Sequence, residues 1–341
     1  MNRQIPVSRL GARILDWFGF GSRDHAAHGH DHGSGPHRHG VIDATIATTD
    51  RGIWAIKWSF VILAITAALQ MVVVALSGSV ALLADTIHNI GDATTAIPLW
   101  IAFMLARRKP SPTFTYGLGR VEDLAGIIIV GIILFSAIVA GYQAIDRLIN
   151  PRVVTHLGWL AAAGIVGFLG NEAVAVFRIR VGREINSAAL IADGYHARTD
   201  GLTSLAVVLG AFGVWLGFAL ADPIVGLLIT LAIFGIVWQS AHSVLTRMLD
   251  GVEPDVIGEI HHAAAHVPGA RIVEAKARWI GHRLHADIAI AVEESLPVAE
   301  AKKLTAALED ELFEHMPALA AANIRLASAD ADHVHGEHDR Y

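Results

Sequence analysis

Residues 84–95 read ADTIHNIGDATT, and residues 192–203 read ADGYHARTDGLT. Both segments contain the pattern A-D-x-x-H-x-x-x-D-x-x-T, at a constant offset of 108 residues. Each copy lies within a long apolar stretch, where ionisable side chains are costly and mark functional positions by default. The repeat therefore predicts two membrane-spanning helices that carry matching polar faces.

The composition is that of a membrane protein. The 341-residue chain is 53% hydrophobic and only 17% charged, whereas soluble domains are about 25% charged. A spanning helix needs about 20 mostly apolar residues. Six stretches meet this requirement: 54–76, 80–105, 121–145, 157–177, 187–217 and 223–245. We therefore expect an α-helical protein that crosses the lipid bilayer several times.

Several functional classes are excluded by residue content. The net charge of -6 argues against a nucleic-acid partner, because nucleic-acid binding needs a basic surface. Cysteine is absent, which excludes disulfides and thiolate metal sites. The H-E-x-x-H signature of a metalloprotease is also absent. Histidine is abundant, with 19 residues, so imidazole and carboxylate groups are the available metal ligands.

Four segments are predicted along the chain. They are a His-rich, disordered cytoplasmic tail at 1–52, a six-helix transmembrane transport domain at 53–248, a cytoplasmic domain at 249–328 and a His-bearing tail at 329–341. The first tail could gather metal near the membrane, or it could be a solvated peptide with no such role. Its candidate accessory ligands are His28, His30, His32, His37 and His39.

The distribution of basic residues predicts the orientation in the membrane. Basic residues lie between the second and third spans and between the fourth and fifth spans, whereas the first and fifth connections have none. These basic residues are Arg107, Arg108, Lys109 and Arg120 in the former connection, and Arg178, Arg180 and Arg183 in the latter. The positive-inside rule then places both termini in the cytoplasm of a multi-pass protein of the inner or plasma membrane.

The pattern changes after Asp250. Residues 254–266 and 297–315 are typical of helices, and residues 271–280, 284–292 and 322–327 are typical of strands. The resulting αββαβ order predicts a small two-layer α+β domain.

The repeated polar pattern predicts a metal site. Residues four apart share one face of a helix, so His88 pairs with Asp92, and His196 pairs with Asp200. If the two helices face each other, two imidazoles and two carboxylates converge. This set suits tetrahedral zinc, and cobalt, iron, nickel or manganese also fit its ligand chemistry. The alternative is that each pair only forms polar contacts between helices.

Asp85 and Asp193 lie three residues before the two histidines. Each could accept the second imidazole N–H and so orient the ligand, or could pass protons. The alternative is that both residues lie near the membrane surface and cap or hydrate the start of a helix.

Other polar residues in or near the spans are expected to be structural. Glu122 and Asp123 begin the third span, where the positive end of the helix favours them. Asn171 and Glu172 are expected to form hydrogen bonds between helices. Asp222 precedes a proline and is expected to be the N-cap of the sixth span.

The sequence resembles the cation diffusion facilitators, a family of proton-coupled zinc exporters, over about residues 54–328. The resemblance rests on the two His-x-x-x-Asp motifs, on YGxxRxE at 116–122, on Asp222-Pro223 and on RWxGH at 278–282. It implies a homodimer of six-helix protomers with a ferredoxin-like cytoplasmic domain that dimerises. It also implies that each protomer exchanges cytoplasmic metal for external protons by alternating access.

The sequence departs from this family at its accessory metal sites. Tyr116 and Leu118 stand near positions where relatives often carry histidines. In the cytoplasmic domain, the corresponding positions are Ala289, Lys302 and Arg325. We therefore expect a dimer without a binuclear metal site, in which Lys302 and Arg325 supply the cationic charge. The remaining candidates, His261, His262, His282 and His285, are interpreted as surface histidines.

The expected function is zinc export by metal/proton antiport. A ligand histidine must be neutral to bind metal, so metal and protons compete for the same lone pairs. The transported zinc ion and the coupling proton are the only cofactors implied, and no catalytic residue is predicted, because a carrier makes no covalent bond. Co2+, Ni2+, Fe2+ and Mn2+ stay open as substrates, and a membrane metal sensor or storage protein is the alternative class.

Overall fold

The computed structural model describes residues 44–77, 96–150, 157–218 and 220–328. In the described part of the membrane domain, six helices follow one another. They are α1 (Ala44–Ser77), α2 (Ala96–Ala106), α3 (Arg120–Ile149), α4 (Leu157–Glu184), α5 (Ala188–Trp215) and α6 (Ala221–Met248).

Among the described residues, four helices are long and apolar enough to cross a membrane. They lie at Thr48–Val73, Arg120–Ile149, Leu157–Glu184 and Pro223–Met248. The described part of α2 is a shorter apolar helix. Helix α5 is long, but it carries Asp193, Arg198 and Asp200. Large apolar side chains such as Trp58, Phe135 and Trp238 are exposed on the outer surface, where lipid would cover them.

Two helix boundaries differ from those expected. Helix α4 continues to Glu184, so Arg178, Arg180 and Arg183 lie on its last turns and not in a loop. Helix α6 begins at Ala221 and its N-cap is Leu220, so the expectation that Asp222 caps this helix is wrong. The apolar pattern could not locate the end of α4, because basic side chains at the cytoplasmic end of a span can still belong to the helix.

The residues after the membrane domain fold as the predicted α+β domain. Its elements are α7 (Pro254–Ala265), β1 (Arg271–Ile280), β2 (Arg283–Val292), α8 (Val298–His315) and β3 (Leu319–Ser328). Strand β2 is central; it pairs antiparallel with β1 and parallel with β3. The αββαβ order predicted from the sequence is confirmed.

The α+β domain has its own hydrophobic core. Ile260 of α7, Leu308 and Leu312 of α8, and Ile288 and Ile290 of β2 are all fully buried in it. Both helices therefore pack on one face of the sheet, which gives the two-layer architecture.

Candidate metal centre

Helix α5 positions the candidate ligands His196 and Asp200. The Ser187 side chain caps the helix by accepting a hydrogen bond of 3.0 Å from the Leu190 N–H. At 1.5 Å per residue, His196 lies about 12 Å from the start of the helix and Asp200 about 18 Å from it. His196 is only 1% exposed. The ligand pair is therefore placed in the half of the helix nearer the α+β domain.

The two side chains have the spacing of neighbouring ligands. His196 Nδ1 lies 3.9 Å from Asp200 Oδ2, which is too far for a hydrogen bond. Two ligands on one tetrahedral zinc ion are about 3.4 Å apart when each metal–ligand bond is near 2.1 Å. A small side-chain adjustment would therefore let both atoms bind one ion.

The matching pair from the second span lies outside the described residues. His88 and Asp92 form this pair, and Asp85 also lies outside the described residues. The convergence of the four ligands therefore stays a prediction. The accessory histidines of the N-terminal tail, which are His28, His30, His32, His37 and His39, also lie outside the described residues, as do residues 329–341.

Helices α4 and α5 approach each other closely beside the candidate ligands. A Cβ on Gly194 would lie 2.7 Å from Ile179, and a Cβ on Gly182 would lie 2.7 Å from Ile191. Any larger residue would therefore push the helices apart. This close approach lets polar side chains of the two helices meet in the core.

The first of these polar contacts involves Asp193. Its carboxylate Oδ2 lies 2.9 Å from Nη1 of Arg178, and these side chains are 0% and 2% exposed. Ser187 is the cap and the Asp193 side chain is 0% exposed, so the alternative of a capping or hydrated aspartate does not hold for Asp193. The prediction that Asp193 orients the His196 ring or relays protons is not tested by these contacts.

The second contact is a two-point ion pair between Arg198 and Glu172. Arg198 Nη2 donates to Glu172 Oε1 at 2.7 Å, and Arg198 Nε donates to Oε2 at 3.1 Å. The prediction that Glu172 bonds between helices is confirmed. Each of the two ion pairs joins one cation to one anion, so neither adds net charge beside His196. The arginine partners were missed because residue type alone does not show which side chains meet.

The α+β domain contacts the membrane domain through the turn between β1 and β2. His282 in this turn is 2% exposed. Its Nδ1 lies 2.7 Å from Glu122 Oε2 at the start of α3, and its Nε2 lies 2.8 Å from Thr48 Oγ1 of α1. The interpretation of His282 as a surface histidine is therefore wrong, because docking of the two domains buries it.

Gly281 permits this close contact. Its φ angle is +62°, and a Cβ here would lie 2.8 Å from the Gly119 carbonyl oxygen. The Gly281 N–H donates to Asp123 Oδ2 at 3.3 Å. Glu122 and Asp123 therefore hold the turn between β1 and β2 against the start of α3.

Arg247, at the end of α6, forms a second part of this junction. It donates to Glu253 at 3.2 Å and to the carbonyl oxygen of Asn186, and it lies 4.4 Å from the centre of the Trp279 ring. Trp279 Nε1 donates to the same Glu253 at 3.1 Å. A single arginine therefore links the α4–α5 turn, α6 and the α+β domain. No local sequence pattern marks Arg247 as a junction residue.

We predict that His282→Ala lowers the thermal stability of the full-length protein in detergent. Glu122 is 1% exposed, and loss of its partner leaves a buried carboxylate oxygen unsatisfied, which costs about 1–3 kcal/mol. His282→Gln, which can still donate a hydrogen bond, should lose less. His261→Ala, at an exposed position of α7, is the control. Equal melting temperatures for His282→Ala and the control would contradict the prediction.

The loop before α3 also lies against the sheet. The Tyr116 ring is 6.3 Å from the His285 ring, and the Arg278 guanidinium is 5.4 Å from the Tyr116 ring. His285 is half-buried, and burial lowers the pKa of its imidazole, with a further contribution from Arg278. The YGxxRxE and RWxGH motifs therefore form the two sides of one domain junction.

None of the three positions at which relatives carry accessory histidines is a histidine in this chain: they are Ala289, Lys302 and Arg325. Ala289 and Arg325 are paired across β2 and β3. Arg325 Nη2 donates to Glu274 at 2.6 Å, and hydrogen bonds from Lys276 and Arg325 lower the pKa of Glu274. Lys302 is exposed on α8. The replacement of metal by Lys302 and Arg325 in a dimer stays a prediction.

Long apolar helices with buried charges and a docked α+β domain define a multi-spanning membrane protein with a domain outside the membrane. Comparison with known families agrees with this class. Residues 56–249 match the cation efflux transmembrane domain, and residues 252–326 match the cation efflux protein cytoplasmic domain.

Relatives cover most of the chain. A probable cation efflux system protein of Mycobacterium tuberculosis is 52% identical over 299 residues, covering 86% of this chain and 90% of the relative. The zinc transporter ZitB of Escherichia coli is 27% identical over 208 residues, covering 60% of this chain and 66% of that protein. A solved structure of the MamM CTD is 24% identical, with a TM-score of 0.22, and covers 23% of this chain and 99% of that one.

The chain therefore belongs to the cation efflux family, also called the cation diffusion facilitators. Members of this family are transporters, so the class of function is cation transport across a membrane.

Proposed function

We propose that this chain exports zinc in exchange for protons, with His88, Asp92, His196 and Asp200 as the ligands of the transported ion. The observation that carries the proposal is the pair of buried His196 and partly buried Asp200 on one face of α5, together with its exact repeat at residues 88 and 92. Two aspartates would neutralise a divalent cation, which makes a loaded site tolerable within the membrane domain.

Proton coupling would follow from competition at the ligands. Zinc needs the neutral imidazoles and the ionised carboxylates of the four residues, so loading displaces protons and protonation favours release. An unperturbed histidine titrates near pH 6.5, close to the range in which a pH gradient acts. The transport cycle forms no covalent bond, so the protein acts as a carrier and not as an enzyme.

The same proposal places both termini and the α+β domain in the cytoplasm of a multi-pass protein of the inner or plasma membrane. The supporting observation is that basic residues cluster on the side where the α+β domain docks. Arg120 binds Asp250 at the domain boundary, and Arg183 lies in the last turn of α4. The match to a cytoplasmic domain supports this orientation.

The active unit is proposed to be a homodimer held by the cytoplasmic domain and the transmembrane region. In this dimer, Lys302 and Arg325 would provide the positive charge that metal provides in some relatives. The absence of histidine at Ala289, Lys302 and Arg325 supports this part of the proposal.

Zinc is favoured over manganese and iron because two of the four ligands are imidazoles, while harder ions prefer oxygen ligands. Cobalt and nickel also suit such a set. A membrane metal sensor or storage protein is the second candidate, since the His-rich tail would suit metal capture. That candidate does not account for a repeated ligand pair within two spans.

Flux measurements test the proposed function. Full-length protein in liposomes with an imposed pH gradient should move Zn2+ fastest when Zn2+, Co2+, Ni2+, Fe2+ and Mn2+ are compared at equal concentrations. Dissipating the gradient with a protonophore should stop accumulation. Metal binding without flux of any ion would contradict a carrier, and faster flux of manganese than of zinc would contradict the assigned substrate.

A further inference from the structure

Three histidines come together on the cytoplasmic domain, away from the candidate ligands in the spans and from the domain junction. His262 and His266 lie four residues apart at the end of α7, and His315 is the last residue of α8. One ligand nitrogen from each ring lies within 4.8 Å of the other two. The ring centres are 4.7 Å apart for His262 and His266, 5.1 Å for His266 and His315, and 5.7 Å for His262 and His315.

Glu311 fixes the tautomer of two of these rings, so that the Nε2 atom of each is available to bind metal. His266 Nδ1 lies 3.0 Å from Glu311 Oε1, and His315 Nδ1 lies 3.0 Å from the Glu311 carbonyl oxygen. A carboxylate and a carbonyl oxygen can only accept, so both Nδ1 atoms carry the proton. Each Nε2 atom then keeps its lone pair for a ligand bond. A carboxylate behind a histidine in this way is the usual partner of a metal-binding imidazole.

The surrounding scaffold favours a cation at this point. The C-terminal ends of α7 and α8 meet here, and both carry the negative end of a helix dipole. The helices are held by buried apolar residues such as Ile260, Leu308 and Leu312, so the imidazoles are not needed for packing. His262 and His266 are exposed and His315 is partly buried. One side of the three-histidine cluster is therefore open to water.

We propose that His262, His266 and His315 bind one divalent transition-metal ion on each cytoplasmic domain, with Glu311 as the positioning residue and water in the fourth position. Three imidazoles with one open position suit the ions that prefer nitrogen, which are zinc, cobalt, nickel and copper. The site is separate from the ligands in the spans, and it does not depend on the proposed transport function. It would join α7 to α8 in response to cytoplasmic metal.

Metal counting on the full-length protein tests this site. The protein is stripped with a chelator and dialysed against a fixed concentration of free Zn2+, and the bound zinc per protomer is measured by elemental analysis. The triple variant His262→Ala/His266→Ala/His315→Ala should bind one zinc fewer per protomer than the original protein. The control His261→Ala changes the neighbouring exposed histidine on the same helix and should keep the full number. Both variants retain the tails and the spans, so other zinc sites cancel in the comparison.

A second variant keeps all three ligands. Glu311→Gln should weaken zinc binding at this site about tenfold, in line with the loss of an outer partner of a ligand histidine. Bound Co2+ provides an independent readout, because a tetrahedral site with three histidines gives a visible absorption band. The triple variant should lose this contribution, while the absorption of Co2+ at other sites stays the same in the variant and in the His261→Ala control. Equal zinc counts and equal Co2+ spectra for the triple variant and the His261→Ala control would overturn the proposal.

Discussion

Asp200→Asn is expected to reduce zinc flux in liposomes by about a hundredfold, which corresponds to roughly 2.7 kcal/mol. The substitution keeps the size of the side chain but removes one of the two negative charges that would balance the ion. The amide oxygen is also a weaker ligand than a carboxylate. His196→Ala, which removes a nitrogen ligand altogether, should bring flux below detection. Zinc uptake under a fixed pH gradient measures both effects.

The matched control for these variants is His242→Ala. His242 also lies in a spanning helix, α6, but it is outside both repeated motifs. Flux through this variant should stay near that of the unmodified protein. Because the motif is repeated, His88→Ala should cause the same loss as His196→Ala. Flux of Asp200→Asn equal to that of the His242→Ala control would remove the basis for the site.

Arg178→Met is expected to cause the largest loss of stability. It would leave the carboxylate of Asp193, which is 0% exposed, as an unbalanced charge in the core. Breaking a buried ion pair on one side costs about 3–5 kcal/mol, so the melting temperature in detergent should fall by about 10 °C. Arg180→Met is the control, since Arg180 lies two residues further along the same helix and is exposed.

The double variant Arg178→Met/Asp193→Leu separates two explanations of this effect. Replacement of a complete buried ion pair by apolar residues is often neutral or stabilising, so the double variant should recover most of the lost stability. If it is as unstable as the single variant, the pair does not account for the loss. If the double variant is stable, its zinc flux in liposomes shows directly whether transport needs the Asp193 carboxylate.

The elements of the cytoplasmic domain were predictable because their signals are local. The expected helix at 254–266 is observed at Pro254–Ala265, and the expected strand at 271–280 is observed at Arg271–Ile280. Helix α7 has a proline in its first turn and a strong apolar face, and both features act within a few residues. The end of α4 was less predictable, because the terminal turns of a spanning helix can carry charges that resemble those of a loop.

The junction residues were not predictable in the same way. His282 looks like a surface residue from its type and neighbours, yet Glu122 and Thr48 bury it from positions more than 150 residues away. Arg178 looks like a marker of a cytoplasmic loop, yet it pairs with Asp193 in the core. In both cases the decisive partner lies on another helix or domain, and only the packing of these elements brings the two groups together.

The sequence by itself determined that this protein crosses a membrane, which family it resembles and which four residues are the candidate ligands. Those conclusions follow from apolar run length, from helical spacing and from an exact repeat, which are all properties of short segments. The tertiary structure decided which charges are neutralised beside His196, how the cytoplasmic turn meets α3 and where three histidines converge. Such contacts depend on the relative placement of whole helices, because charges and hydrogen bonds act over a few ångströms regardless of distance along the chain.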